Sequence, residues 1–350
     1  MDLMLSSDQE AIQASVRSFL DDELPMARVR EIAQRGAGTL APLWRAAGAL
    51  GFFGLAVPEA AGGAGYAITE EMVLFEELGR VLAPGPWLGS VLAAQALATA
   101  TGPVHADLAR VLAGEQQVAI VDATSRASSI VLRGGEVSGE SGYVADADQE
   151  TAFLVVAPGS IVYLAAGSGA QVERRPSMDP TRAIGVVRFA NVRGALLAEG
   201  ADAVTALLRR ATVLSCAEAV GGIQRTVDMS VDYGKVRKQF DKPIGAFQAV
   251  KHRCADMAVR AEVARAATTY AVVSVRDGAA DQDFQVSVAK ILASGAYVQN
   301  AADNVQNHGG MGFTWECDAH LFVKRARSFE TAFGSRLARL DQLAASFQSV

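Results

Sequence analysis

The chain has 350 residues, half of them hydrophobic, and a formal net charge of -6. That length allows a large core in two or three domains, and the acidic balance excludes general nucleic-acid binding, which needs a basic face. No apolar run is long enough to span a bilayer, and Met1-Asp-Leu-Met lacks a charged leader with an apolar core, so a cytoplasmic protein without a membrane role is expected. Cys216, Cys254 and Cys317 are isolated; they predict neither a metal site nor a disulfide framework, but buried small hydrophobes.

In chain order, Ser7-Asp8-Gln9-Glu10 reads as a capped helix start, with apolar residues at helical spacing through Leu20. Leu40 to Leu50 reads as a second helix. The glycine-rich stretch from Gly51 to Gly65 lacks both the Lys-Ser/Thr of a phosphate loop and a preceding strand, so a turn is expected. Helices follow from Thr69 to Gly79 and from Leu88 to Ala100. Beyond Gln117 the period shortens: Val118–Val121, Ser129–Leu132, Thr151–Val156, Ser160–Leu164 and Ala183–Phe189 are β-branched runs separated by Gly and Pro. The helical period returns over Asp202–Tyr233, Phe247–Asp277, Asp283–Gln306 and Trp315–Phe329, which suggests an antiparallel bundle. Gly221-Gly222 marks a place for close helix packing. The expected division is a helical domain over 1–114, a β-barrel-like domain over 115–200 and a four-helix bundle over 201–350.

The segment from Tyr233 to His252 sets a basic cluster (Lys235, Arg237, Lys238), an aromatic, a turn at Pro243 and Gly245, and a Gln beside one another. An arginine can fork onto a phosphate while Phe240 covers a flat apolar ring. The competing reading is a solvated helix end whose cations the helix dipole favours. Arg-x-x-Phe, Pro-Ile-Gly and Phe-Gln-Ala-x-Lys-His here, with Gln306-Asn-His-Gly-Gly-Met-Gly-Phe313 further on, resemble the two signatures of the acyl-CoA dehydrogenase family. The resemblance covers nearly the whole chain and is weakest in the middle. It implies an α+β multidomain fold with an N-terminal helical domain, a middle β domain and a C-terminal four-helix bundle, with FAD as cofactor.

That family removes an α proton with a glutamate while the flavin takes the β hydride. The glutamate stands either in a C-terminal Tyr-Glu-Gly-Thr-like turn or twenty-six residues before the signature arginine. Here the first position holds Phe333, within Thr331-Ala-Phe-Gly-Ser335, and the second holds Ala211, next to Thr212. Neither accepts a proton, so no catalytic residue is assigned. Glu218 and Glu330 are the nearest carboxylates; a structural partner is expected for Glu218. The middle domain also departs from the family, with Val121-Asp-Ala-Thr-Ser125 and Gly142-Tyr-Val-Ala-Asp-Ala-Asp148 where Thr-Glu-Pro with Gly-Ser-Asp and Trp-Ile-Thr-Asn would hold the flavin ring.

In tetrameric relatives the two surviving signatures reach across a dimer interface to the ADP half of the neighbour's FAD. By resemblance Arg237 contacts the pyrophosphate, with Gln239, Phe240, Phe247 and Gln248 around it, while Gln306, Gly309 and Gly310 approach the adenosine. His252 and His308 are read as interface hydrogen-bonders, His320 with Lys324 and Arg325 as a polar helix face, and Asp241 as a replacement for the usual turn glycine. The resulting expectation is the non-catalytic subunit of a heteromeric (α2β2) acyl-CoA dehydrogenase acting on a bulky CoA thioester, such as a steroid side chain in lipid metabolism. A homologous partner would supply the base and most of the acyl-CoA site, with electron-transfer flavoprotein as acceptor. The alternatives are a self-sufficient flavoenzyme, either a dehydrogenase with a relocated base or a monooxygenase, and a structural or regulatory partner without flavin.

Overall fold

The computed structural model describes residues 4–35, 41–100 and 104–348. Met1 to Leu3, part of the start judged leaderless, and Leu40, the expected start of the second helix, lie outside the described residues. Helix α1, Ser7–Glu23, opens on a reciprocal cap: the Ser6 hydroxyl accepts the Gln9 N–H at 3.2 Å and the Gln9 side chain accepts the Ser6 N–H at 3.0 Å. Helices α2 (Met26–Arg35), α3 (Ala41–Ala49), α4 (Ile68–Arg80), α5 (Trp87–Ala98) and α6 (His105–Leu112) follow. Between α3 and α4 the glycine stretch is a self-contained turn. The Ala64, Gly65 and Tyr66 N–H groups bond to Gly54, Val57 and Leu55 carbonyls at 2.8–2.9 Å, which turns them away from any phosphate.

The described residues gather into two compact units. The first joins α3, α5 and α6 to the strands, closing at Ala211. Its helical part centres on Trp44, Phe53 and Trp87, with ring centroids 4.6–5.5 Å apart; such aromatics bury large areas in few residues. Two four-stranded sheets follow. One has the order β1 (Val118–Asp122), β4 (Ala152–Ala157), β5 (Ser160–Leu164), β8 (Ala195–Glu199), with β1 and β4 parallel and the rest antiparallel. The other has the order β2 (Val131–Arg133), β3 (Glu136–Ala145), β7 (Ile184–Arg193), β6 (Gln171–Arg175). Val121, Phe153, Val155 and Val162 of the first share one core with Val137, Val187 and Phe189 of the second.

The second unit holds α1, most of α4 and the chain from Thr212 onward. It contains the greater part of α7 (Ala201–Val236), then α8 (Gln248–Arg276), α9 (Gln282–His308), α10 (Ala319–Thr331) and α11 (Arg336–Gln348). Helix α9 packs against α8, α10 and α11. Ala289, Ala293 and Ala296 on α9 and Ala261, Ala264 and Ala271 on α8 are buried, small residues that let helix axes approach. Among the described residues no helix is long and apolar enough to cross a membrane.

The close packing expected at Gly221 is met by α4. A Cβ on Gly221 would lie 1.8 Å from the Glu76 carbonyl oxygen, and one on Gly79 would lie 1.8 Å from the Glu218 carbonyl oxygen. The two backbones therefore touch at a reciprocal glycine pair, and no side-chain movement relieves an added methyl. Gly221→Ala is expected to lower stability by about 1–3 kcal/mol or more, read as a fall in Tm. Gly295→Ala on α9, where an added Cβ meets nothing within 4 Å, should instead stabilise through helix propensity by up to about 1 kcal/mol. Equal melting of the two variants would refute the backbone contact.

Candidate functional site

The end of α7, the start of α8 and the end of α9 converge. Tyr233 of α7 stacks on His308 of α9 with centroids 4.3 Å apart, and Arg253 of α8 donates to Asn307 of α9 at 3.0 Å. The two signature segments are thereby neighbours although some seventy residues separate Arg237 from Gln306. Between α7 and α8 the chain forms a two-residue hairpin of β9 (Lys238–Gln239) and β10 (Lys242–Pro243). Its tip, Phe240-Asp241, has φ of 52° and 62°. Glycine or asparagine usually takes such positions because a Cβ there is strained. Phe240 nonetheless holds one, and it is 86% exposed. Its ring meets Phe247 edge-on at 6.1 Å, and Lys242 Nζ sits 4.6 Å above the Phe247 ring.

The result is a protruding aromatic pair in a basic setting. Arg237, Gln239, Gln248 and Gln306 are exposed, and among the described residues no carboxylate lies within ion-pair distance of Arg237. Gly309, with φ of 60°, and Gly310 have nothing within 4 Å of an added Cβ, so a ligand can approach their backbone closely. The donor set, with one guanidinium, amide side chains, open glycine backbone and two aromatic faces, fits the phosphate and flat-ring chemistry of an ADP moiety. His308 has a place inside the chain: it is buried, stacked on Tyr233, and its Nδ1 lies 2.8 Å from the Asn304 carbonyl oxygen. His252 is exposed at the start of α8.

The two positions expected to hold a base carry Ala211 and Phe333. Ala211 is fully buried on α7. Phe333 sits in the turn after α10 with φ of 50°, and its carbonyl accepts a hydrogen bond from Arg339 Nη2 at 2.8 Å. The same Nη2 donates to the Thr212 hydroxyl at 3.3 Å. The expected structural partner of Glu218 is Arg325, whose Nη1 donates at 2.6 Å while its Nη2 reaches the Leu82 carbonyl at 3.2 Å. Glu330 pairs with Arg327 at 3.0 Å. This corrects the polar-face reading of α10: Arg325 and His320 are buried, and His320 packs edge-on against Trp315 at 4.7 Å. Cys216 is buried, whereas Cys254 and Cys317 are half-buried. Among the described residues no cluster of three His, Cys, Asp or Glu could hold a metal ion.

The loops of the β unit use their polar groups locally. Asp122 accepts both the N–H and hydroxyl of Thr124, at 3.0 and 2.6 Å, and the Ser125 and Ser128 hydroxyls accept the N–H groups of Ala127 and Ile130. Asp146 is buried against Arg182 at 2.5 Å. These are turn-closing patterns, a donor set quite unlike the open one at the bundle end. Sequence reading missed two cations around the turn that carries Phe333, the half-buried Arg339, bonded to the Phe333 carbonyl, and the buried Lys290, bonded to the Phe329 carbonyl. The available signal for Lys290 was a lone lysine inside Val286-Ser-Val-Ala-Lys-Ile-Leu-Ala293.

Residues 6–103 match the acyl-CoA dehydrogenase N-terminal domain and residues 198–347 the acyl-CoA dehydrogenase C-terminal domain. The chain is 30% identical over 320 residues to acyl-CoA dehydrogenase IpdE2 of Mycobacterium tuberculosis, with 91% of each chain covered. Among solved structures it resembles the ChsE4-ChsE5 complex from Mycobacterium tuberculosis, with a TM-score of 0.88 at 25% identity and 100% of each chain covered. It also resembles the Tcur3481-Tcur3483 steroid ACAD G363A variant, with a TM-score of 0.87 at 26% identity and 98% of each chain covered. Paired domain matches, end-to-end similarity and the two signatures at the bundle end lead to one assignment: the chain belongs to the acyl-CoA dehydrogenase family.

Proposed function

We propose that this chain is the non-catalytic subunit of a heteromeric FAD-dependent acyl-CoA dehydrogenase, giving its bundle end in trans to the ADP half of a flavin shared with a homologous catalytic chain. One contrast carries the proposal. The exposed set of Arg237, Phe240 and Gln306 is intact and offered outward, while Phe333 and Ala211 stand where a base is needed. A left-handed phenylalanine at an exposed hairpin tip is strain that packing within the chain does not account for, a mark of a functional segment. The ion pairs of Glu218 and Glu330 argue against a self-sufficient enzyme with a relocated base. The pairing of two chains in the ChsE4-ChsE5 complex and the Tcur3481-Tcur3483 steroid ACAD favours a heteromer, and the latter favours a steroid acyl-CoA as substrate. The assembly would be α2β2, with electron-transfer flavoprotein as acceptor.

FAD, when bound, takes the hydride equivalent from the substrate β carbon. Arg237 neutralises pyrophosphate charge, Gln239, Gln248 and Gln306 donate or accept at its edges, Phe240 and Phe247 cover flat surface, and Gly309 and Gly310 allow close approach. The partner supplies the carboxylate that removes the α proton and binds most of the acyl-CoA. Co-expression with a homologous acyl-CoA dehydrogenase chain should yield one FAD per pair of chains, and this chain purified alone should be flavin-free and inactive. Arg237→Ala in the complex should weaken flavin retention by about tenfold or more, since a charge-assisted contact is worth about 1.5–3 kcal/mol. One FAD on every lone chain, with turnover of an acyl-CoA, would refute the subunit reading.

A further inference from the structure

The vacated base site carries the opposite charge from the one its chemistry would require. Arg339 reaches from α11 to both sides of it, with Nη2 on the Phe333 carbonyl at 2.8 Å and on the Thr212 hydroxyl at 3.3 Å. Nη1 donates to Gln342 at 3.2 Å. All three acceptors are neutral. The Nε–H is buried and has no hydrogen-bond partner among the described residues, and it lies 3.1 Å from where a Cβ on Gly334 would stand. A second cation braces the same turn: Lys290, fully buried, donates from Nζ to the Phe329 carbonyl at 2.5 Å and sits 3.4 Å above the Phe329 ring. The other ionisable groups near this pair are Cys216 of α7, Asp283 of α9 and Glu330 of α10.

We infer that Arg339 closes this half-site to base chemistry by charge: a carboxylate restored at position 333 would be captured as an ion pair instead of being freed to take a proton. A dehydrogenase base needs a carboxyl whose pKa burial raises. A guanidinium already bonded to the backbone of that same residue, with a spare buried N–H, favours the ionised form and lowers its basicity. Loss of catalysis in this chain is therefore held by at least two residues, and reversion of Phe333 alone leads to a paired carboxylate. The inference rests on the subunit reading for where a base would stand.

The test compares charge at constant shape. Four variants of the full chain, in complex with its partner, carry Phe333→Glu or Phe333→Gln, each with Arg339 or with Arg339→Gln. With Arg339 present, the Glu variant should melt about 2 °C or more above the Gln variant; with Gln at 339 the order should reverse, because the carboxylate then lacks its cation. A Glu-minus-Gln difference that is the same in both backgrounds overturns the inference. Comparison with the parent and with Arg339→Gln alone shows whether a variant folds. Neither flavin content nor turnover is read, so failure of the subunit assignment shows in those quantities and leaves this comparison standing.

Discussion

Arg325→Leu is expected to destabilise the bundle by about 3–5 kcal/mol, the cost of leaving one member of a buried ion pair behind. Arg325 is 4% exposed, and its guanidinium joins Glu218 of α7 to the Leu82 carbonyl beyond α4. It thus ties α10 to two other elements, close to where Gly79 and Gly221 bring the backbones of α4 and α7 into contact. A leucine fills part of the volume but gives Glu218 no cation and the Leu82 carbonyl no guanidinium donor. Glu218→Gln added to Arg325→Leu should recover a large part of the loss, since the charge then needs no partner. The reading is a urea midpoint. An unchanged midpoint for Arg325→Leu would mean that water reaches this pair.

The elements legible in the sequence were those whose pattern is local. The long helices of the bundle announce themselves through apolar spacing, and β4 and β5 through unbroken β-branched runs, because both are buried along their length. Strand β3, Glu136-Val-Ser-Gly-Glu-Ser-Gly-Tyr-Val-Ala145, was not legible. It carries two glycines and two glutamates, and its strand character comes from pairing on both sides, with β2 and β7. Strand β6 reads Gln-Val-Glu-Arg-Arg and lies at a sheet edge, where charge protects against unwanted pairing. Helices α2, α6 and α11 are short or polar, and tertiary contacts decide them.

At the candidate site, the signature order pointed to the residues proposed to face ADP and to the two positions without a carboxylate. The hairpin strain at Phe240 and the bond from Arg339 to Phe333 were hidden, because one is a backbone angle and the other joins residues through the fold. Arg325 illustrates the same limit. Beside His320 and Lys324 it looks like a solvated helix face, and only its burial against Glu218 shows otherwise. Composition ranks arginine as an exposed residue; the partner that permits its burial lies on another helix.

Lys290→Met should stabilise the protein at neutral pH, by about 1–2 kcal/mol, with an advantage that fades in alkali. Burial pushes the Lys290 pKa down to about 8; Arg339 adds to the depression, while Cys216 and Glu330 oppose it. An unfolded lysine titrates near 10.4. Between these values the unfolded chain holds more protons than the folded one, so this residue makes stability rise with pH across that window; below about 8 its full cost, about 3 kcal/mol, is present. The hydrogen bond to Phe329 and the ring contact offset part of that cost, and methionine loses both while keeping an unbranched stem in the same space. Cys216 works the other way: burial raises its thiol to about 11, so its contribution falls as pH climbs past the unfolded thiol value. Subtracting the two proteins pH by pH largely cancels the thiol and leaves Lys290. Urea midpoints should therefore favour the methionine variant at pH 7 and converge as pH rises through the lysine window. A variant weaker at neutral pH would show that the amine's bond to the end of α10 outweighs its desolvation, making Lys290 a stabilising clamp on the turn that carries Phe333.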